Sequence, residues 1–173
     1  AEDLERIAMN FGGENIAACI VEPIAGSTGT LVPPKGYLKR LREICDKHGI
    51  LLIFDEVITG WGRTGSAFAA QEWGVTPDIM TMAKATTNGV VPMGVVAVKE
   101  EMYDTVLDAS KAPEGTPELF HGYTYSGIPV AVAAALAVQD IFDKEDIFNR
   151  AKEMSPYFQD GLHSLKDLKE VVS

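Results

Sequence analysis

Two charged residues stand at the ends of predicted strands, where they could take part in chemistry. Asp55 directly follows the apolar run Ile50 to Phe54, and Lys84 follows the next predicted strand, Asp78 to Met82. In open α/β sheets ligands bind at the carboxyl ends of the strands, so an acid and a lysine at two such ends predict a site. An unpaired buried carboxylate is costly, and we therefore expect Asp55 to face a cationic partner.

The chemistry open to this pair depends on the lysine. Its amine can condense with an aldehyde, and a nearby carboxylate can keep a pyridine nitrogen protonated, which is the combination that pyridoxal phosphate requires. When released, the same amine can carry a proton between two carbon atoms. Asp55 and Lys84 together therefore favour a pyridoxal-phosphate enzyme.

The segment FDEVITGWGRTG, residues 54–65, suggests two other sites. Its glycines have the G-x-G-x-x-G spacing of a dinucleotide loop, but five residues separate Gly60 from the strand, which such a loop should follow at once. Its acids resemble the metal-holding strand of an ATPase, but no G-x-x-x-x-G-K-[ST] string is present. The dinucleotide site is disfavoured, and a nucleotide hydrolase remains a weaker alternative. No metal-ligand spacing links the three histidines, so we expect no metal site.

Strands that alternate with helices position these residues. The expected strands are short apolar runs, and the helices between them show apolar residues at helical spacing. This pattern predicts an α/β three-layer sandwich with a mostly parallel sheet. The expected strands cover 16–21, 50–54, 78–82 and 94–98, and the expected helices 4–11, 38–48, 68–73, 99–109, 129–142 and 147–165.

The composition narrows the class of partner. The 173 residues are 46% hydrophobic and 23% charged, with a formal net charge of −10. Such an acidic surface disfavours nucleic acid and anionic membranes. The two cysteines, Cys19 and Cys45, show no disulfide framework, which is compatible with a cytoplasmic protein.

Three long strings of this chain resemble the class III pyridoxal-phosphate aminotransferases. They are VEPIAGSTGTLVPPKGYLKRLREICDKHGILLIFDEVITGWGRTG, GVTPDIMTMAKATTNGVVPMG and HGYTYSGIPVAVAAALA. The second and third look like the subgroup that transfers amino groups from ω-amino acids or amines, such as β-alanine, to pyruvate. The resemblance implies the large domain of a fold-type-I enzyme. Trp61 stands where many members of that family have Phe, and Ile128 where many have Asn.

The resemblance also implies roles for individual residues. Lys84 would form the Schiff base with the cofactor, Asp55 would pair with its pyridine nitrogen, and Val57 would pack against its ring. Thr124 would bind the cofactor phosphate of a neighbouring subunit, which implies a homodimer or tetramer with shared active sites. Glu22 would lie near the substrate.

The resemblance divides the chain at residue 145. Residues 1–145 would be part of the cofactor-binding large domain, and residues 146–173 a helix that leads toward a C-terminal small domain missing from this chain. The chain therefore looks like a piece of a longer enzyme. A catalytically incomplete fragment, or a subunit that needs a partner polypeptide, is the competing interpretation.

Overall fold

A four-stranded sheet with helices on both sides forms the framework of the molecule. The computed structural model describes residues 1–110 and 121–170. The strands are β1 (Ala18–Val21), β2 (Leu51–Asp55), β3 (Ile79–Met82) and β4 (Val95–Val98). The helices are α1 (Glu2–Phe11), α2 (Tyr37–His48), α3 (Ala69–Trp73), α4 (Glu100–Ser110), α5 (Pro129–Lys144) and α6 (Ile147–His163). Short 3₁₀ turns cover Gly13–Asn15, Lys84–Thr86 and Ser164–Asp167.

The strands follow the order β1-β2-β3-β4 across the sheet. The first three are parallel, and β4 runs antiparallel to β3. Val21 pairs with Phe54, and Asp55 pairs with Thr81, so β1, β2 and β3 end at the same edge. This topology confirms the predicted mostly parallel sheet.

The main core lies between one face of this sheet and helices α1 to α3. Side chains alternate between the two faces of a strand, and in β2 the buried ones are Leu52 and Phe54. They pack in one cluster with Leu38, Leu41 and Cys45 of α2, which repeat at helical spacing. Burying each large apolar side chain contributes about 1.5–3 kcal/mol, so this face dominates the stability of the sheet.

Helix α2 ends at Gly49, as the sequence pattern predicts. Gly49 has φ 69°, and its N–H donates to the carbonyl oxygen of Cys45. A left-handed residue at this position is common at helix ends, and glycine adopts it without steric cost. The chain can therefore turn at once into β2.

The second face of the sheet is less tightly covered. Leu51, Ile53 and Asp55 of β2 are only partly buried. Thr81 is paired with Asp55, so it lies on this same face. Thr81 and Ala131 of α5 line the same cleft, so α5 lies on the side of the second face. The helices thus lie on both sides of the sheet, as a three-layer α/β sandwich requires.

Candidate active site

Asp55 is the last residue of β2 and is partly buried. One carboxylate oxygen, Oδ1, accepts a hydrogen bond of 3.0 Å from the backbone N–H of Val57. Because Asp55 lies on the face opposite Phe54, its carboxylate is directed away from the main core. The bond from Val57 fixes the carboxylate at the edge where three strands end.

Lys84 lies two residues beyond the end of β3, at the same edge. It is exposed and begins the 3₁₀ turn Lys84–Thr86. The backbone N–H of Glu56 donates to the carbonyl oxygen of Thr81 at 2.9 Å, so β2 and β3 stay hydrogen-bonded past Asp55. The structure therefore brings the predicted acid and the predicted lysine to neighbouring strand ends.

The turn that carries Lys84 rests on two buried threonines. The Thr86 hydroxyl donates to the carbonyl oxygen of Ala83 at 3.0 Å. The Thr87 hydroxyl donates to the carbonyl oxygen of Val91. Lys84 has a left-handed backbone, with φ 47°. An exposed amine thus stands on a turn whose other side chains are fixed.

A cleft of about 590 Å³ lies beside these strand ends. Its lining includes Val57, Thr81 and Ala83, together with residues of α5 and of the segment before α5. Asp55 and Lys84 are close in sequence to the lining residues Val57 and Ala83, but they do not line the cleft themselves. Mostly apolar walls with a few polar groups are typical of a cofactor or small-molecule site.

The remaining predicted site residues lie near this edge or in an exposed turn. Glu22 follows β1 directly, and its Oε2 accepts a hydrogen bond of 3.0 Å from the N–H of Gly26. Thr124 is exposed in the turn that precedes α5. Its neighbours Tyr123 and Tyr125 line the cleft, whereas Thr124 does not.

Glu56 has a role that the sequence reasoning missed. It is fully buried, with 0% of its surface exposed. Its Oε2 accepts from the Thr59 hydroxyl at 2.9 Å and from the N–H of Ala69 at 2.7 Å, and its Oε1 accepts from the N–H of Ala70 at 2.8 Å. Two of these donors are the free N–H groups at the start of α3. Strand alternation could have indicated this role, because it directs Glu56 toward the main core when Asp55 points away.

The glycines of GWGRTG allow close packing and do not form a phosphate loop. A side chain on Gly62 would come within 2.9 Å of Phe148 in α6, and one on Gly65 within 2.7 Å of Lys152. The helix that follows, α3, has its first N–H groups occupied by Glu56. A dinucleotide phosphate would need those groups, so the structure argues against the nucleotide interpretation of this segment.

Asp78, at the opposite edge of the sheet, is a structural acid. It accepts from Arg42 at 2.8 Å, from Lys99 at 2.7 Å and from the N–H of Leu52 at 2.7 Å. Burial opposes ionisation of Asp78, but these three donors hold the pKa of its carboxyl below its usual value. The group joins α2 and the amino end of β3 to Lys99, which follows β4.

Within residues 1–110 and 121–170, no three His, Cys, Asp or Glu side chains come together as metal ligands. No helix of those same ranges is long and apolar enough to cross a membrane.

Comparison with known proteins decides the family. A family model described as aminotransferase class-III matches residues 1–173. The chain belongs to the class-III aminotransferase family. Enzymes of this family depend on pyridoxal phosphate.

Individual aminotransferases resemble the chain closely. It is 58% identical to an omega-aminotransferase of Caulobacter vibrioides and 52% identical to a beta-alanine–pyruvate aminotransferase of Pseudomonas aeruginosa. Both alignments cover 99% of this chain and 38% of the relative. An amine transaminase from an uncultivated Pseudomonas species, solved in its pyridoxal-phosphate-bound form, superposes with a TM-score of 0.87 at 42% identity. That superposition covers 96% of this chain and 37% of the solved one.

The residues at the strand ends fit this cofactor. An exposed lysine amine is available for covalent attachment, and a carboxylate held by one N–H stands on the adjacent strand. Val57 contributes an apolar side chain to the lining of the cleft. The predicted aminotransferase family is confirmed, whereas the role of each residue remains a prediction.

Proposed function

We propose that the protein containing this chain is an aminotransferase that moves an amino group from an ω-amino acid or amine, such as β-alanine, to pyruvate. The names of the two relatives with 58% and 52% identity support this substrate class. The observation that carries the proposal is the pairing of Asp55 with Thr81, which sets an acid and a lysine at adjacent ends of parallel strands. Because the chain spans only 38% of these relatives, the proposal concerns the intact protein.

In this proposal Lys84 and Asp55 have different tasks. Lys84 holds the cofactor covalently and, once released, moves a proton to and from the substrate carbon through its amine. Asp55 pairs with the pyridine nitrogen, and the bond from Val57 N–H keeps its carboxylate oriented. When bound, pyridoxal phosphate supplies an aldehyde that receives the amino group and a ring that withdraws electrons from the reacting carbon.

Three further residues complete the proposed site. Val57 packs against one face of the ring, and Glu22 lies near the substrate at the end of β1. Thr124 binds the phosphate of a cofactor held by the partner subunit, so the proposed enzyme is a homodimer, or a tetramer built from such dimers. The exposure of Thr124 supports this assignment, since a hydroxyl that serves a partner must be accessible.

The proposal also covers the domain organisation of the protein and its location in the cell. Residues 1–145 form part of the cofactor-binding domain, and residues 146–173 lead toward a small domain. We place the protein in the cytoplasm, where Cys19 and Cys45 stay reduced, as both are free thiols in the structure.

A borohydride experiment on the intact protein tests the assignment of Lys84. Reduction after addition of pyridoxal phosphate should fix the cofactor to the peptide that contains Lys84. Lys84→Ala should abolish this label, whereas the matched control Lys39→Ala, at a helix position, should retain it. Label on another lysine would refute the assignment.

Activity measurements test the substrate class and the role of Asp55. With β-alanine as donor, the intact protein should use pyruvate. Asp55→Asn keeps the shape of the side chain but removes its charge, and it should lower kcat by about 10²–10³-fold, the range for the loss of one preorganised electrostatic contact. If the labelled protein transfers no amino group, the competing interpretation of an incomplete subunit is favoured. Stabilisation by a nucleotide without a cofactor adduct would favour the hydrolase.

A further inference from the structure

A short chain of hydrogen bonds links the turn after β2 to the turn that carries Lys84. The indole N–H of Trp61 donates to the Thr86 hydroxyl oxygen at 2.9 Å. That hydroxyl donates in turn to the carbonyl oxygen of Ala83 at 3.0 Å. Through one buried hydroxyl, the indole of Trp61 therefore holds the peptide group that immediately precedes Lys84.

Trp61, where these hydrogen bonds begin, and Lys84, which follows the bonded carbonyl group, both have an unfavourable backbone conformation. Trp61 has φ 60° and Lys84 has φ 47°, and both are non-glycine residues in the left-handed region. Such conformations persist only where the surroundings enforce them, and they concentrate at functional sites. The strain at Lys84 thus needs a structural cause, and the contacts of Thr86 provide one.

Trp61 is itself firmly held. Its backbone N–H donates to the carbonyl oxygen of Ala67 at 2.6 Å. Its ring packs edge-on against Phe68, with 4.9 Å between the ring centroids, and approaches Phe142 of α5 at 6.2 Å. The indole is therefore a fixed donor.

We propose that Trp61 is a positioning residue for Lys84, acting through its hydrogen bond to Thr86. This inference rests on the proposed function, since it assumes that the amine of Lys84 attacks the cofactor aldehyde. A preorganised amine reacts faster because less conformational freedom is lost on the way to attack. Without the indole bond the turn can relax toward negative φ at Lys84, and the amine moves away from its reactive position.

The test measures cofactor binding by the apo form of the intact protein. Trp61→Phe removes the donor and keeps an aromatic ring. Thr86→Val removes the hydroxyl, and Thr86→Ser keeps it. Phe68→Leu loosens the packing of Trp61 but keeps the two hydrogen bonds that Trp61 and Thr86 donate. The readouts are the rate of appearance of the cofactor absorbance band and the pH at which that band changes in the loaded protein.

The expected pattern separates positioning from packing. Trp61→Phe should slow cofactor attachment roughly 3- to 10-fold, as expected from the loss of one buried hydrogen bond. Thr86→Val should slow it at least as much, and the double variant should be no slower than Thr86→Val, because both changes break one chain. Thr86→Ser should remain near the wild-type rate, and Phe68→Leu should slow attachment less than Trp61→Phe does, because it loosens the indole but keeps its hydrogen bond to Thr86. The spectral pH midpoint should shift in Trp61→Phe and Thr86→Val only.

Two results would overturn the inference alone. They are a wild-type rate and spectral midpoint in Trp61→Phe, and an equal loss in Phe68→Leu and Trp61→Phe, which would indicate simple packing. Borohydride labelling of the wild type distinguishes these from failure of the proposed function. Label at Lys84 confirms the premise, whereas label elsewhere refutes the inference and the assignment of Lys84 together.

Discussion

Replacement of Glu56 offers the sharpest test of how this edge of the sheet is built. Its carboxylate accepts from the N–H groups of Ala69 and Ala70 and from the Thr59 hydroxyl, with no surface exposed. In Glu56→Gln, an amide oxygen at the Oε2 position keeps the donors Thr59 and Ala69. The amide nitrogen then faces the N–H of Ala70, where two donors meet.

The magnitude follows from these contacts. A buried donor left without an acceptor costs about 1–3 kcal/mol, so Glu56→Gln should destabilise the start of α3 by that amount. Glu56→Ala orphans both N–H groups as well as the hydroxyl and leaves a cavity, so its cost should be larger, about 3–5 kcal/mol. The positive end of the short helix adds to the loss, because it interacts favourably with a nearby carboxylate.

Amide hydrogen exchange of the intact protein measures the loss of stability at the start of α3. Since each 1.36 kcal/mol is a factor of ten, amides 69 and 70 should exchange about 5- to 150-fold faster in Glu56→Gln. The exposed Glu153→Gln, on α6, is the matched control and should leave these amides unchanged. Exchange in Glu56→Gln equal to that of the control, or equal in Glu56→Gln and Glu56→Ala, would refute the assignment of Glu56 as the cap of α3.

Three other substitutions or treatments test the framework. Asp78→Asn should cost about 2 kcal/mol in chemical unfolding at pH 7, because Arg42 and Lys99 lose the negative charge between them and the new amide nitrogen faces one of these donors; Lys99 is partly solvated, which limits the cost. Since the pKa of Asp78 is lowered on folding, its contribution is present above the unfolded value of about 3.9 and is lost as pH falls through the lower folded value, so the difference from Asp78→Asn should shrink below about pH 4. Gly62→Ala should lower the melting temperature, because its Cβ would lie 2.9 Å from Phe148 at a residue with φ 91°, whereas Gly161→Ala, with open space in α6, should not lower it. Burial raises the pKa of Cys45 to about 11, so an alkylating reagent at pH 8 should modify Cys45 only after unfolding, and rapid native labelling would contradict its burial.

Periodicity was sufficient to predict most of the fold. All four predicted strands and all six predicted helices are present in residues 1–110 and 121–170, with ends that differ by a few residues. The end of α2 at Gly49 could be predicted because it depends only on the local backbone, where glycine readily adopts the left-handed conformation. The strand β4 was expected, but its antiparallel direction depends on how the chain returns to the sheet, which no local pattern encodes.

Contacts between distant turns were beyond the reach of sequence reasoning. The bond from Trp61 to Thr86 joins two segments separated by a helix and a strand, and nothing in either segment indicates it alone. The position of the cleft was also unpredictable, because it depends on how α5 lies over the sheet. Asp55 and Lys84 were recognisable because parallel strands end at one edge whatever their exact order.

The adjacent acids Asp55 and Glu56 differ in role: Glu56 is structural, and Asp55 is the residue proposed to bind the cofactor. Alternation sends Glu56 into the core, where it binds the start of α3, and leaves Asp55 on the face beside the cleft. The N–H of Glu56 also binds Thr81 of β3, whose strand leads to Lys84. The carboxylate of Glu56 thus fixes the loop after β2, whereas its backbone N–H holds the ends of β2 and β3 together. A substitution of Glu56 should therefore loosen the loop that leads to α3 and leave the backbone bond to Thr81, and with it the spacing of Asp55 and Lys84, in place.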